Sequence, residues 1–262
     1  MVEQSIALPG VSGRIDHLSV DLKRRRLFVA ELGNNTVDVI DLASASVVRR
    51  IAGLKEPQGL GFAPAADVLA VANAGDGSVR LYRGESLDPA GKIDLRDDAD
   101  NIRLDLHTGY LVVGYGRGGL ALIDPATASR VGTIPLRAHP EGFQLDVGRR
   151  RAYVNVPDAH QIAVVDLAAG RQIGSWQVPE VRANFPMALD PARGAAAVVF
   201  RNPPRLVVFD ANAGQAASVF AICRDADDVF FDAKRSRIYI SCGAGSVDVW
   251  QQDGPGIGAF SL

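Results

Sequence analysis

The stretch HLSVDLKRRRLFVAELGNNTVDVIDLASASVVRRIAGL (residues 17–54) decides the fold. It contains three runs rich in valine, isoleucine, leucine and phenylalanine, HLSVD, RRLFVAE and TVDVIDL, and a weaker fourth, VVRRIAGL. Polar and apolar residues alternate with period two, and the breaks carry Gly, Asn, Asp and Ser. That combination is strand and hairpin chemistry, because β-branched side chains suit a pleated surface and short polar residues suit tight turns.

The same arrangement recurs along the chain. A first run ends in Asp at HLSVD (Asp21), IRLDLH (Asp105), GFQLD (Asp146), PMALD (Asp190) and DVFFD (Asp232), and GLGFAP puts Pro64 at the missing beat. The intervals are 43, 41, 41, 44 and 42 residues. Second runs (DVLAVANA, GYLVVGYG, RRAYVNVP, GAAAVVFRN, SRIYISCG), third runs (SVRLYRG, GLALIDP, QIAVVDL, PRLVVFD, SVDVW) and weaker fourth runs (AGKIDLR, RVGTIPL, QIGSWQV, AASVFAI) follow in order. Four short antiparallel strands per repeat of this length predict the blades of a β-propeller. The expectation is an all-β fold of six four-stranded repeats in one domain, residues 1–262, with almost no helical periodicity. A β-sandwich would not require self-similarity at this period. The segment QSIALPG (residues 4–10) looks like a fourth strand without its predecessors, and is expected to complete the last blade and close the ring, which removes unpaired strand edges.

Bulk properties narrow the function. The chain has 262 residues, 47% hydrophobic and 22% charged, enough to bury a full core. With 28 basic and 30 acidic residues and a net charge of -2, it carries no surplus of basic charge for nucleic acid or a polybasic membrane patch. No apolar run approaches the roughly 18 to 20 residues of a membrane span, and MVEQSIALPG lacks a basic region followed by an apolar one. The expected location is cytoplasmic as written, or periplasmic or secreted if a leader has been removed. Cys223 and Cys242 are too few for a disulfide scaffold and lack metal-ligand spacing. Both fall on the mouth side of one blade, as a disulfide or as a reduced pair of small apolar residues.

The repeats resemble the YVTN-type (YncE-like) β-propeller repeat family, through VDVIDLASASVVRRI, QIAVVDLAAGRQIGSW and the phrases GLKEPQG, ADNIRLD, HPEGFQLD, NFPMALD and DADDVFFD. The resemblance covers nearly the whole chain. It implies seven blades and often a secretion signal, whereas this sequence shows six units, no signal, and a tail, QQDGPGIGAFSL, that stops where a seventh unit would begin.

In a propeller the loops that enter the first strands open together at one mouth of the central channel, a favoured place for ligands. Five positions before each aligned Asp (or Pro64) stand Asp16, Gly59, Asp100, Glu141, Phe185 and Asp227, four of them carboxylates. One position later come His17, Leu60, Asn101, Gly142, Pro186 and Asp228, and two positions earlier Arg14, Pro57, Asp98, His139, Ala183 and Asp225. Asn184 and Glu56 fall in the same loops. Carboxylates brought together repel unless they take up protons or share a cation. Oxygen-only ligands with no His or Cys at zinc spacing favour a hard ion, calcium first, with magnesium or manganese as alternatives. Against this, Asp and Asn are common in turns for purely local reasons, and Arg14 and Arg103 stand ready to pair with the acids. The aligned Asp residues themselves are expected to organise hairpin turns.

The mouth chemistry is similar in residue type and location to the gluconolactonase and senescence-marker propellers, where such side chains hold a divalent ion. That likeness implies a calcium-dependent lactonase acting on a sugar lactone or an acyl-homoserine lactone. Asp16, Asp100, Asn101, Glu141, Asn184 and Asp227 are then the expected metal ligands, Asp228 or Asp98 the base, and His17 or His139 the proton donor. The alternative is a non-catalytic ligand-binding or protein-interaction propeller, since the fold hosts many functions. GYGRGG (residues 114–119) joins two strands and opens no helix, so phosphate-loop readings lack their context. There is no GxSxG elbow and no metalloprotease histidine pair, and His107 and His160 are expected at the surface.

Overall fold

The computed structural model describes residues 4–178 and 180–262. Among these the strands form six four-stranded antiparallel sheets, and the only helical elements are two three-residue 3-10 turns, Leu32–Asn34 and Pro157–Ala159. The fold is an all-β propeller. The chain divides into two compact units, Met1–Thr133 and Ile134–Leu262, the division falling within one outer strand.

In the first unit, blade 1 comprises β1 (Leu18–Asp21), β2 (Arg26–Glu31), β3 (Thr36–Asp41) and β4 (Ser46–Ile51). Blade 2 comprises β5 (Pro57–Ala63), β6 (Val68–Asn73), β7 (Ser78–Arg83) and β8 (Asp88–Asp94). Blade 3 comprises β9 (Ala99–Leu104), β10 (Leu111–Tyr115), β11 (Gly119–Asp124) and β12 (Ser129–Pro135). The second unit holds blade 4, β13 (Phe143–Asp146), β14 (Arg151–Val156), β15 (Gln161–Asp166) and β16 (Arg171–Gln177). Blade 5 has β17 (Arg182–Asp190), β18 (Ala195–Asn202), β19 (Pro204–Asp210) and β20 (Gln215–Ala221). Blade 6 has β21 (Ala226–Asp232), β22 (Arg237–Cys242), β23 (Ser246–Gln252) and β24 (Phe260–Ser261).

Why the second strands read as continuous apolar runs follows from the packing. On β6 (VLAVAN) every residue is buried. Val68, Ala70 and Ala72 pack with Ile102, Leu111 and Val113 of blade 3, while Leu69 and Val71 pack with Phe28 and Val39 of blade 1. A strand covered on both faces loses the polar half of its alternation. Blade 5 repeats the device: Ala195, Ala197 and Val199 meet Ile238 and Ile240 of blade 6, and Ala196, Val198 and Phe200 meet Tyr153 and Trp176 of blade 4. The fourth strands lie on the outside, as the largely exposed pattern of β4 and β16 shows.

The turns behave as expected. Asp21 accepts the backbone N–H of Lys23 and Arg24, and Asp190 those of Ala192 and Arg193. The guanidinium three residues on returns to the same carboxylate at Asp21, Asp146, Asp190 and Asp232, at 2.6 to 2.9 Å. Asp105 uses Thr108 instead. GYGRGG joins β10 to β11.

One expectation is corrected. The last blade is not completed by QSIALPG: the described residues 4–8 form no strand, and Pro9 O and Gly10 O accept bonds from Arg50 and Asn34 of blade 1. The fourth strand of blade 6 comes from the C-terminal tail, with Gln251 opposite Ser261 and Gln252 opposite Phe260. Only seven residues separate Gln252 from Phe260, so a local hairpin closes with little loop entropy. The cysteine question is also resolved: Cys223 and Cys242 form a disulfide, with Cα atoms 6.1 Å apart.

Candidate functional site

In the first unit, hydrogen bonds place the loop before β1. Asp16 N donates to Ala30 O at 2.8 Å, Ala30 N to His17 O at 3.0 Å, and Gly33 N to Arg14 O at 3.1 Å, so residues 14–17 run along the end of β2. Asp100 and Asn101 lie on β9, both buried. What lets β9 come in is Gly59 on β5: a Cβ built there would stand 1.9 Å from Asp100 O. The glycine at register position 59 is therefore a packing requirement, and Gly142, whose Cβ would stand 2.4 Å from Phe185 O, plays the same part in the second unit.

The outcome is a compact charged cluster. His17 Nε2 lies 3.7 Å from Asp16 Oδ1 and 3.7 Å from Asp100 Oδ1, and Arg14 Nη2 lies 3.4 Å from Asp16 Oδ2. The Arg14 side chain is mostly exposed, so its pair is worth about 1 kcal/mol or less. Burial works to lower the pKa of His17, but the close approach of Asp100 and the charges of Asp100 and Asp16 outweigh it, against a smaller opposing effect of Arg103. The net result is a ring held above its ordinary pKa, its charged form favoured by the two carboxylates. At 3.7 Å these are charge contacts rather than hydrogen bonds. Asn101 Nδ2 donates to Asp100 Oδ2 at 3.3 Å. Asp100 Oδ1 and Asn101 Oδ1 are buried and make no hydrogen bond. Buried oxygens in that state carry a desolvation penalty of about 1–3 kcal/mol each, more for a carboxylate. Asp98 is half-buried, one residue ahead of β9.

The second unit holds the other expected residues, with different surroundings. His139 and Glu141 precede β13, with a ring nitrogen and a carboxylate oxygen within 4.8 Å of each other, and both line a pocket of about 280 Å³. Asn184 belongs to a buried amide network: its Nδ2 donates to Asn155 Oδ1 at 3.0 Å and to Gln161 O at 3.3 Å, and Asn155 Nδ2 donates to Phe185 O at 3.0 Å. Asp227 is 56% exposed at its side chain and ion-paired with Arg201. Asp228 Oδ1 accepts Val229 N at 2.8 Å. A solvent-facing carboxylate with its own arginine is a poor metal ligand, and Asn184 serves packing, so both leave the ligand set, while Glu141 keeps its place as a candidate in the second unit.

Two groups escaped the sequence reading. Arg182, Asp158 and His160 line the pocket with His139 and Glu141. His160 is exposed, as expected, yet it caps the 3-10 turn between β14 and β15, a second-to-third strand loop of the kind that opens on the mouth, and that placement was the available signal. In blade 1, Glu31 and Asp38 are wholly buried. Arg50 Nε and Nη2 each donate to Asp38 at 2.7 Å, and Thr36 Oγ1 donates to Glu31 at 2.5 Å. Burial, and secondarily Asp38, raise the pKa of Glu31, opposed by Thr36 and Arg50.

No family model matches this chain. No curated protein matches it in sequence. Among solved structures the chain is similar to the Kuenenia stuttgartiensis hydrazine synthase, with a TM-score of 0.83 and 16% identity over 96% of this chain and 80% of that chain. At that identity the likeness shows the fold alone, and the β-propeller class is what it supports.

Proposed function

We propose that this chain is a cation-binding propeller, with Asp16, Asp100 and Asn101 of the first unit as oxygen ligands for a divalent ion, and that the site serves hydrolysis of a small lactone. The reading is carried by one observation, the two buried oxygens Asp100 Oδ1 and Asn101 Oδ1 that no hydrogen bond satisfies. Hard oxygen donors on loops and strand ends suit calcium, which accepts irregular coordination, better than magnesium. Such an ion would supply Lewis acidity and compensation of negative charge at a carbonyl oxygen. The chain's own groups have definite tasks. His17 holds a proton between Asp16 and Asp100, and Asp98 is the nearby candidate for taking a proton from water. A sugar lactone and an acyl-homoserine lactone both meet this description. The disulfide suits an oxidising compartment, and no helix among the described residues is long and apolar enough to cross a membrane.

A non-catalytic binding propeller is the second reading, favoured by the pairing of Asp16 with Arg14 and of Asp227 with Arg201, which leaves fewer acids for an ion. Calorimetric titration with calcium, combined with lactone-opening assays with and without chelator, separates the two. One calcium per chain, lost in Asp100→Ala, supports the site, and turnover lost in chelator and restored by calcium supports the hydrolase. Calcium binding without turnover on either lactone class leaves the binder. No heat with calcium, magnesium or manganese removes the cation site.

A further inference from the structure

The second unit contains a cavity between blades 4 and 5 whose lining includes Arg182 and Phe185, neither of them named in the cation reading. Its volume is about 280 Å³, and its lining also includes Glu141, Asp158 and His160. Its walls come from the loop before β13, the 3-10 turn Pro157–Ala159 and the start of β17.

Arg182 is the telling residue. Several arginines of this chain answer a carboxylate, as Arg24, Arg50, Arg149, Arg193 and Arg201 do. Among the described residues Arg182 meets no carboxylate. Its Nη1 lies 2.9 Å from His160 Nε2 and 3.2 Å from His160 Nδ1, almost equidistant, so the guanidinium lies across the imidazole ring instead of pointing along one lone pair. Held there, it keeps the rest of its donor fork for a ligand. Arg182 opens β17 opposite Asn202 of β18, and Ala183, next in the chain, takes φ +58°. Phe185 supplies an aromatic wall beyond it and is itself fixed by Arg201, whose guanidinium carbon is 4.7 Å from the ring centroid.

We infer that this cavity is a binding site for a small organic carboxylate, with Arg182 receiving the carboxylate in a forked hydrogen-bonded pair and Phe185 covering an apolar part of the ligand. The volume lies at the small end of ligand pockets, which limits the occupant to a metabolite-sized acid. Arginine matches a planar carboxylate better than lysine does, because two parallel N–H groups meet two oxygens. His160 orients the guanidinium.

The test uses the intact chain and calorimetric titration with phenylacetate, a one-ring monocarboxylate, beside phenethylamine and inorganic phosphate as probes. Phenylacetate should bind in the millimolar range. Arg182→Gln, at an exposed position, should leave the melting temperature unchanged and weaken phenylacetate by roughly tenfold or more, as expected for losing a charged hydrogen-bonded pair. Phe185→Ala should weaken phenylacetate, and phosphate, which has no apolar part, should bind the parent more weakly than phenylacetate does. Equal affinity for phenylacetate in the parent and Arg182→Gln, binding of phenethylamine as tight as that of phenylacetate, or no heat with phenylacetate each overturns the inference. Calcium titration in Arg182→Gln should match the parent, so failure here is distinguishable from failure of the cation site.

Discussion

Gly59→Ala tests the link between packing and the charged cluster most directly. The added methyl would stand 1.9 Å from the Asp100 carbonyl oxygen and 3.1 Å from Ile102 Cγ1. Carbon and oxygen rest at about 3.3 to 3.6 Å, so β9 must retreat by more than about 1 Å. The obstacle is backbone, not the tip of a flexible side chain, which puts the penalty at the upper end of the overpacking range, about 3 kcal/mol. For a chain of this size each kcal/mol shifts the melting temperature by about 2–4 °C, so a fall of roughly 6–12 °C is expected. The same retreat moves Asp100 away from His17 and Asp16, and calcium affinity should drop by about tenfold or more. Scanning calorimetry and calcium titration measure both. Gly174→Ala is the control, because its Cβ would meet nothing within 4 Å, and its melting should match the parent. If Gly59→Ala melts within about 1 °C of the parent, the close approach of β5 and β9 does not position this cluster.

Two further outcomes follow from groups away from the site. Glu31 has a raised pKa in the folded chain, mainly from burial, so the native state binds the extra proton. Its contribution is full below the unfolded pKa and is lost as pH rises through the folded value. Glu31→Gln keeps an acceptor for Thr36, and should flatten the fall in stability seen in urea melts of the parent as pH rises above the ordinary carboxylate range; an unchanged slope refutes the assignment. The Cys223–Cys242 bridge closes a loop with a sequence separation of 19, for which chain entropy predicts about 3 kcal/mol. The double replacement by serine should lower the melting temperature by roughly 6–12 °C, checked by circular dichroism, and a loss of under about 2 °C would count against that estimate.

Much of this protein is written locally. Alternation with period two, a turn after each short run, and recurrence at near-constant spacing depend only on neighbouring residues, and they determined six four-stranded blades and their order. The Asp that ends a first strand, with Arg three residues later, could likewise be read as a turn device, because both partners lie within one hairpin. Which strand completes blade 6 could not be read that way. QSIALPG and the C-terminal tail are both short and weakly β-prone, and chain proximity of Gln252 to Phe260 decided between them. The candidate site shows the same division. Sequence alone determined which positions face the loops that enter the first strands, and that several bear acids. Tertiary structure alone decided that Asp227 belongs to Arg201 on the neighbouring blade, that Asn184 ties an amide network, and that His17 stands between Asp16 and Asp100. The physical reason is range: strand and turn preferences are set by residues a few positions apart, whereas charge pairing and the burial of a lone oxygen are set by side chains brought together from separate blades.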